Sequence, residues 1–518
     1  MASMTAPKVL LVSLILLATL ESCLAQGAAA PDLEAIRTKA ESGDSSAQFD
    51  LGELYYRGQW VSRDYTEAAL WYRKAAAQGL AAAQFAMGRA YATGGGVPQD
   101  YGAVAVGWYR LAAEQGHAPA QAALGFAYGT GGGVSKDDAQ ALRWFRLAAE
   151  QGYAVAQGWL GAVYGSGKGV PQDHAEALRW YKLAAEQGDP GGQRALGAAH
   201  VNGWGVSKDY KEAVYWFRLA ADQGDGAAYQ ELGVSYLNGT GVPRDYGEAF
   251  RLFRLAAEKG VWIAHTNLGT MCAMGLGVPR DFVEAVRWFR PAAEEGEPGA
   301  QTNLGLAYDG GKGIAQNYAE AVRWFRLAAR QEYAGGQLRL GLAYARGNGV
   351  PQDHVEAARL YRLAAEQGDS DAQTFLGLAY ANGLGVGQDS AEAVRLLRLA
   401  AEYGNPAGQF NLGVAYARGM GVPPNEVEAV RWFRAAAEKG HPMAQSNLGS
   451  AYASGRVVAQ DYVAAYMWFS LAALNLSGSP DSTRSLDVLD GIAQQMTGEQ
   501  IAEAQRLASE WKPTAGSR

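Results

Sequence analysis

The chain has 518 residues, of which 48% are hydrophobic, and a formal net charge of −7. This mildly acidic balance argues against nucleic acid as a partner, because nucleic acids are bound through concentrated positive charge. After the first 25 residues, no segment is apolar over the roughly 20 residues that a helix needs to cross a membrane.

The first 25 residues have the pattern of an export signal. Lys8 supplies a positive charge, residues 9–20 form an apolar run, and residues 23–25 precede a predicted cut after Ala25. The sequence therefore predicts a protein that is exported to the periplasm or out of the cell.

An alternative for the same segment is a bacterial lipobox at residues 20–23, which would place a lipid on Cys23. Glu21 fits that pattern poorly. If the lipobox is used, the protein is an outer-membrane lipoprotein with a lipid anchor at Cys23 and no membrane span.

A Leu-Gly or Met-Gly pair then returns twelve times, and every step but one is 36 residues; the step from Met87 to Leu124 is 37. A fixed period of this size predicts stacked helical units rather than a globular fold around one pocket. The pairs begin at Leu51, Met87, Leu124, Leu160, Leu196, Leu232, Leu268, Leu304, Leu340, Leu376, Leu412 and Leu448.

Each unit is predicted to be a helix–turn–helix hairpin. Ala, Leu and Tyr share one face of the first helix, and the glycine after Leu removes a side chain where the second helix comes close. A Gly-x-Gly-Val turn follows, and an Asp or Asn caps the second helix. In nine repeats a Glu lies three residues after the cap, as in Asp173 and Glu176, which predicts a capping box.

The second repeat has one extra residue between Tyr101 and Trp108. An insertion inside a helix is usually accommodated as a π-bulge, so we predict a structural π-bulge there.

The repeat template resembles the Sel-one-like repeat family, a relative of the tetratricopeptide repeats. The resemblance implies an all-α fold, a right-handed α/α superhelical solenoid of about twelve 36-residue repeats, and binding to other proteins. Together with the terminal segments, the predicted organisation is a signal peptide at 1–25, a capping helix at 32–43, the repeat array at 44–476, closing helices at 477–512 and a disordered tail at 513–518.

The sequence offers little for catalysis. Only Cys23 and Cys272 are present, so no disulfide framework is possible, and the six histidines fall at scattered repeat positions. Some cysteine-rich relatives have a proposed β-lactamase activity, but the single Ser-x-x-Lys here, Ser509 to Lys512, lacks the partner motifs. We therefore expect neither an enzyme nor a cofactor or metal site.

Arginine rows run along the second helices, two residues after and one residue before the Trp position. An anionic partner is one interpretation. Local pairing with glutamate is the stronger one, for example between Glu284 and Arg287, because oppositely charged residues three or four apart are neighbours on a helix.

The residue before each Leu-Gly varies between repeats and is polar in the later ones. In related superhelices the first helix lines the concave surface, and an Asn amide there matches the donor and acceptor of a peptide unit. We predict a peptide-binding groove along repeats seven to twelve, although these Asn side chains could instead bond to the adjacent repeat. The predicted binding residues are Asn267, Asn303, Arg339, Asn411 and Asn447, with Arg346, Asn382 and Arg418 seven positions further along their helices.

The function predicted from the sequence is a non-catalytic scaffold that binds a protein or extended peptide. One alternative is peptidoglycan or glycan binding, which exposed aromatic residues such as Trp159, Trp204 and Trp262 would support. A second alternative, an envelope hydrolase, lacks a nucleophile–base pair in the sequence.

Overall fold

A computed structural model describes residues 32–100, 102–475 and 488–514. The predicted signal peptide, Cys23 and the beginning of the closing segment lie outside these residues. Over the described ranges the chain is helical and contains no strand, as predicted. It divides into two compact units, Met1–Val261 and Trp262–Arg518, and each contains six repeats.

Within the described residues, the first helix of the first unit is Leu33–Glu41, and each repeat then contributes a first and a second helix. The helices of repeats one to six are Ser45–Arg57 and Tyr65–Ala77, Ala81–Thr93 and Ala103–Glu114, Ala118–Thr130 and Asp138–Glu150, Ala154–Ser166 and His174–Glu186, Pro190–Asn202 and Tyr210–Asp222, and Gly226–Asn238 and Tyr246–Glu258.

The second unit repeats this pattern and ends with helix Gly498–Glu510, which follows a helical segment at 488–493. The helices of repeats seven to twelve are Trp262–Met274 and Phe282–Glu294, Pro298–Gly310 and Tyr318–Arg330, Ala334–Arg346 and His354–Glu366, Ser370–Asn382 and Ser390–Glu402, Pro406–Arg418 and Glu426–Glu438, and Pro442–Ser454 and Tyr462–Asn475.

Within each hairpin, the glycine after Leu or Met lies against a large side chain of the second helix. A Cβ on Gly305 would be 2.5 Å from Cε1 of Phe325, and a Cβ on Gly341 would be 2.7 Å from Cε1 of Tyr361. The facing residue is aromatic in eleven repeats and is Leu397 in the tenth. The glycine therefore sets the distance between the two helices, as predicted.

The cap of the second helix is only half of the predicted capping box. Oδ1 of Asp173 accepts hydrogen bonds from the backbone N–H groups of Ala175 and Glu176, at 2.9 and 3.0 Å. However, the backbone N–H of Asp173 donates to the carbonyl of Tyr164 at 2.9 Å, which closes the hairpin turn. The Glu176 carboxylate instead accepts from Nε1 of Trp180 at 2.7 Å. The predicted reciprocal bond from Glu to the cap is therefore wrong in this repeat.

The extra residue of the second repeat produces no π-helix in the described residues, so the predicted π-bulge is wrong. Helix Ala103–Glu114 has 12 residues instead of 13, and it begins later relative to its Trp than the other second helices do. Asp100 accepts from the backbone N–H of Gly102 at 2.8 Å. The insertion is accommodated before the helix, because this leaves the helical phase of the core residues unchanged.

A buried glutamine links consecutive repeats, and the predicted template did not include it. The fourth residue of the first helix is Gln in ten of the twelve repeats. Nε2 of Gln301 donates to the carbonyl of Ala293 in the preceding second helix at 3.1 Å. Its Oε1 accepts from Nε2 of Gln331, at the end of its own repeat's second helix, at 2.9 Å. Both ends of this side chain, which is 4% exposed, are therefore hydrogen-bonded.

The first terminal helix reproduces a contact made inside the array, and the last has a cap of its own. In helix Leu33–Glu41, the carbonyl of Ala40 accepts from Nε2 of Gln48 at 3.0 Å, as a second helix does. At the other end, Thr497 and Gln500 form a complete capping box. Thr514, within the segment predicted to be a disordered tail, donates its backbone N–H to the carbonyl of Glu438 at 2.8 Å.

We predict that Gly305→Ala destabilises the second unit by about 1–3 kcal/mol, because the new methyl group overlaps the ring of Phe325. Gly107→Ala is the matched control, since Gly107 is also helical and a Cβ there meets nothing within 4 Å. It should stabilise by about 0.5–1 kcal/mol through higher helix propensity. Urea unfolding followed by circular dichroism measures both. Equal changes in the free energy of unfolding of the two variants would contradict the packing role of Gly305.

A second prediction concerns the buried glutamine. Gln301→Leu should destabilise by about 1–3 kcal/mol, because it leaves the buried carbonyl of Ala293 and the amide of Gln331 without their partner. Gln331→Ala should cost about 1 kcal/mol or less, since Gln331 is exposed and water can replace its bonds. If thermal unfolding shows that Gln331→Ala destabilises the protein as much as Gln301→Leu does, the linking role assigned to Gln301 is wrong.

Candidate functional site

The predicted binding residues occupy two positions of the first helices in the second unit. The groove row is the sixth residue of each first helix, just before Leu or Met-Gly, and the end row is the thirteenth. Asn267, Asn303, Arg339, Asn411 and Asn447 belong to the groove row and are all half-buried. The end-row residues Arg346, Asn382 and Arg418 are exposed.

Hydrogen bonds already engage several of these amides. Nδ2 of Asn411 donates to the carbonyl of Ala407 in its own helix at 2.8 Å, and Asn382 makes the same bond to Leu378 at 2.8 Å. Nδ2 of Asn303 reaches Oγ1 of Thr270, in the preceding repeat, at 3.5 Å. The alternative of bonding between repeats is thus observed at Asn303, at the long limit for a hydrogen bond.

Two hollows open between neighbouring first helices in repeats ten to twelve. Arg418 and Asn447 line a cavity of about 460 Å³, together with the ring of Phe433. Asn411 lines a smaller hollow of about 40 Å³ beside Leu378. Val414 borders both, so the hollows are adjacent along the same face.

The structure therefore brings three of the eight predicted residues, Arg418, Asn447 and Asn411, to adjacent hollows. The other five line neither of them. The larger cavity also contains Glu426 and Arg456, which the sequence did not single out. Glu426 begins the second helix of repeat eleven and Arg456 lies in the turn of repeat twelve, so only the packing of repeat twelve on repeat eleven brings them to one cavity.

The predicted pairing of arginine with glutamate is confirmed for the row before Trp. Arg287 pairs with Glu284 at 3.1 Å, and other residues of the row before Trp pair in the same way. The row after Trp has a different role. Arg362 and Arg398 donate to the hydroxyl groups of Tyr380 and Tyr416 in the next repeat, both at 3.0 Å. These side chains help to hold the array together.

Two of the three tryptophans considered for glycan binding share one cavity. Trp159 and Trp204 line a cavity of about 470 Å³ in repeats four and five, together with Tyr181 and Arg194. Trp262 begins the second unit and contacts His265, with 5.0 Å between the ring centroids. The first unit thus has an aromatic cavity that the sequence could not establish.

The remaining candidates for chemistry have structural roles. Nδ1 of His117 and of His441 each accept from a backbone N–H at 3.3 Å as helix caps, and burial lowers the pKa of both rings. The hydroxyl of Ser509 donates to the carbonyl of Arg506 at 2.7 Å. Burial raises the pKa of the Cys272 thiol to about 11, as expected for a small core residue.

Among the described residues, no group of three or more His, Cys, Asp or Glu side chains has a geometry for holding a metal ion. None of the described helices is both long and apolar enough to span a membrane.

A buried charged cluster joins the first two repeats and was not predicted. Glu53 accepts from Oη of Tyr72 at 2.7 Å and from Nη2 of Arg89 at 3.1 Å, and it also pairs with Arg57 at 2.9 Å. Arg89 is 4% exposed and lies over the ring of Tyr56. Burial alone would raise the pKa of Glu53, but Arg89, Tyr72 and Arg57 together hold it below its usual value.

A family model described as the Sel1 repeat matches the chain from residue 45 to residue 475, and the match contains repeats without an identified catalytic domain. The matched segments are 45–80, 81–117, 118–153, 154–189, 190–225, 226–261, 262–297, 298–333, 334–369, 370–405, 406–441 and 442–475.

The chain is similar to the crystal structure of c5321, a protective antigen of uropathogenic Escherichia coli with an SLR fold. The identity is 34%, the TM-score is 0.54, and the alignment covers 93% of this chain and 94% of that chain. A Sel1 repeat protein from Oxalobacter formigenes is 31% identical, with a TM-score of 0.41, over 71% of this chain and 93% of its own.

A curated relative is the secretory immunoglobulin A-binding protein EsiB of Escherichia coli O6:H1. It is 43% identical over 44 residues, which are 8% of this chain. The match spans 9% of the length of that relative.

The charged cluster predicts a pH-dependent contribution to stability. Because the pKa of Glu53 is lower in the folded than in the unfolded chain, its contribution is complete above the unfolded value of 4.5 and is lost as the pH falls through the folded value. Glu53→Gln should therefore destabilise by about 2 kcal/mol near pH 7 and by much less near pH 3. Urea unfolding at both pH values measures this difference, with exposed Glu114→Gln as the control. If Glu53→Gln destabilises the protein equally at both pH values, Glu53 is not stabilised as a charged group.

Proposed function

This chain belongs to the Sel1 repeat family, and on that premise we propose that it is a non-catalytic scaffold that binds a protein or an extended peptide along the groove row of repeats seven to twelve. The family resemblance inferred from the Leu-Gly period is thereby confirmed. The observation that carries the proposal is the cavity lined by Arg418 and Asn447.

This cavity combines the groups that a peptide requires. Phe433 and Val430 give it an apolar wall for one side chain of the ligand. Asn447 has an amide with both donors and an acceptor, which suits the backbone of an extended segment. Arg418 is exposed at the edge, where its guanidinium suits a carboxylate of the partner.

The neighbouring hollow continues the same surface toward repeat ten. The bond from Asn411 to Ala407 uses one of the two N–H groups of its amide, so the amide retains further bonding capacity toward a ligand. An extended chain advances about 3.3 Å per residue, so a short peptide can reach both hollows. Several weak contacts at successive repeats would then add up to specific binding.

Export is part of this proposal. The predicted signal peptide at 1–25 supports a periplasmic or extracellular location, with Cys23 as an alternative lipid anchor. The organisation proposed is a capping helix at 32–43, the array at 44–476 and closing helices at 477–512. The similarity to a protective antigen and to an immunoglobulin-binding protein of Escherichia coli supports a partner that is itself a protein.

A photo-crosslinking amino acid placed at Ser450 tests the proposal in the native host. Ser450 is exposed and lines the cavity, so it should capture one or two defined proteins, which mass spectrometry identifies. The same amino acid at Arg287, on an exposed second helix, is the control and should not capture them. Equal capture at both positions, or recovery of glycan alone, would contradict the groove.

For a partner captured in this way, we predict that Arg418→Ala combined with Asn447→Ala weakens binding about tenfold or more. Asn202→Ala is the matched control, because Asn202 has the end-row position in repeat five and bonds to its own helix at 2.9 Å. Isothermal titration calorimetry measures the affinities. An unchanged affinity in the double variant, with helicity preserved, would count against the proposal.

A further inference from the structure

The aromatic cavity of repeats four and five lies apart from the proposed peptide groove and has a different composition. Trp159 belongs to the groove row, and Trp204 lies in the Gly-x-Gly turn of repeat five. The volume of about 470 Å³ falls within the roughly 300–1,000 Å³ that is typical of small-molecule sites.

Both indole rings are held by other aromatic rings. Trp159 stacks on Phe145, with 6.1 Å between centroids and 12° between planes, and meets the edge of Phe126 at 5.3 Å. Trp204 stacks on His174 at 5.8 Å and 8°, and is 44% exposed. The two rings are therefore already held in place, so a ligand that packs on them loses little free energy to side-chain ordering.

The floor between the walls is open because the residues there are small. Ala162 and Ala198 have the ninth position of their first helices. The same position holds Leu306, Leu342 and Leu378 in repeats eight to ten. Gly158 and Gly191 widen the floor further, so the cavity results from residue size at fixed positions of the repeat.

The polar groups of this cavity carry both signs of charge, with Arg194 beside Asp189 and Asp225. Nε of Arg194 lies 3.6 Å from Oδ1 of Asp225. Asp189 and Asp225 both cap first helices and accept from the backbone N–H groups of Gly192 and Ala228, at 2.6 and 2.7 Å. Helix N-termini carry a partial positive charge, which offsets part of the negative charge of the two carboxylates.

This mixture of charges limits the ligand classes. Arg194 would repel a cationic ligand, and Asp189 and Asp225 would repel an anionic one, so a neutral ligand fits best. A purely apolar side chain would bury the guanidinium and carboxylates without giving them hydrogen bonds, which is costly. A sugar ring satisfies both requirements, because its C–H face packs on the electron-rich face of an indole and its hydroxyl groups donate to carboxylates and accept from arginine.

We propose that the cavity lined by Trp159 and Trp204 is a binding site for a neutral oligosaccharide. Trp204 forms the exposed stacking wall, Trp159 the inner wall, and Arg194 with Asp189 and Asp225 the hydroxyl-binding groups. This site is independent of the peptide groove, since none of its residues lies in repeats seven to twelve.

Saturation-transfer difference NMR and calorimetry on the full chain test the site with chitotriose, maltotriose, N-acetyllactosamine and, as a cationic probe, an oligolysine peptide. At least one of the three sugars should receive saturation at its ring C–H protons and bind saturably. Absence of binding by all three sugars, or binding of oligolysine alone, overturns the proposal.

Two variants test whether a bound sugar occupies the aromatic cavity. Trp204→Ala should weaken it about tenfold or more through loss of the stacking wall, and Ala198→Leu should abolish it by filling the floor with a side chain that this position accepts elsewhere. Leu384→Ala is the control, because Leu384 has the same turn position in repeat ten and is 45% exposed. Sugar binding that survives both cavity variants, with circular dichroism unchanged, overturns the proposal. Loss of peptide binding in the Arg418 and Asn447 variants should leave sugar binding unaffected.

Discussion

The contact on which the fold depends is the approach of a side-chain-free glycine to a ring on the second helix. It recurs in every repeat, and in the tenth Leu397 replaces the ring. The interior of a protein is close-packed, so one added methyl group at this point must displace the ring or the helix. The contact fixes how the two helices of a hairpin pack, and therefore which of their residues remain at the surface. A glycine in mid-helix is otherwise unfavourable, and this packing offsets that cost.

Packing within a hairpin does not determine how neighbouring repeats align. Hydrogen bonds between repeats determine that alignment. Gln301 lies in the core between two repeats, where an unsatisfied amide would be costly and only one register bonds both its ends. On the surface, the arginine of one repeat donates to the tyrosine hydroxyl of the next, as Arg362 does to Tyr380. Apolar packing supplies most of the stability of such arrays, while these bonds favour one alignment of neighbouring repeats.

The fold could be predicted from the sequence because the same local pattern occurs in twelve repeats. Helices, turns and caps followed from the spacing of Leu, Gly and Asp, and they agree with the structure. The error in the capping box arose because a backbone group has two possible partners. The N–H of Asp173 bonds to Tyr164 across the turn, a contact between helices that helix-capping rules do not consider. The same limit applies to the sites: Trp159 and Trp204 are 45 residues apart in the chain, and only the packing of repeat five on repeat four places both around one cavity.

Because the framework positions are nearly invariant within the chain, differences between repeats are concentrated at a few surface positions of the first helix. The ninth position is leucine in repeats eight to ten and alanine in repeats four and five, where the aromatic cavity lies. In repeats eleven and twelve the first helices also border a cavity, but Arg418 and Asn447 line it and no tryptophan does. One scaffold thus holds two cavities of different chemical composition between helices of the same length. Residue size decides where a cavity opens, and the residues around it decide which ligand it accepts.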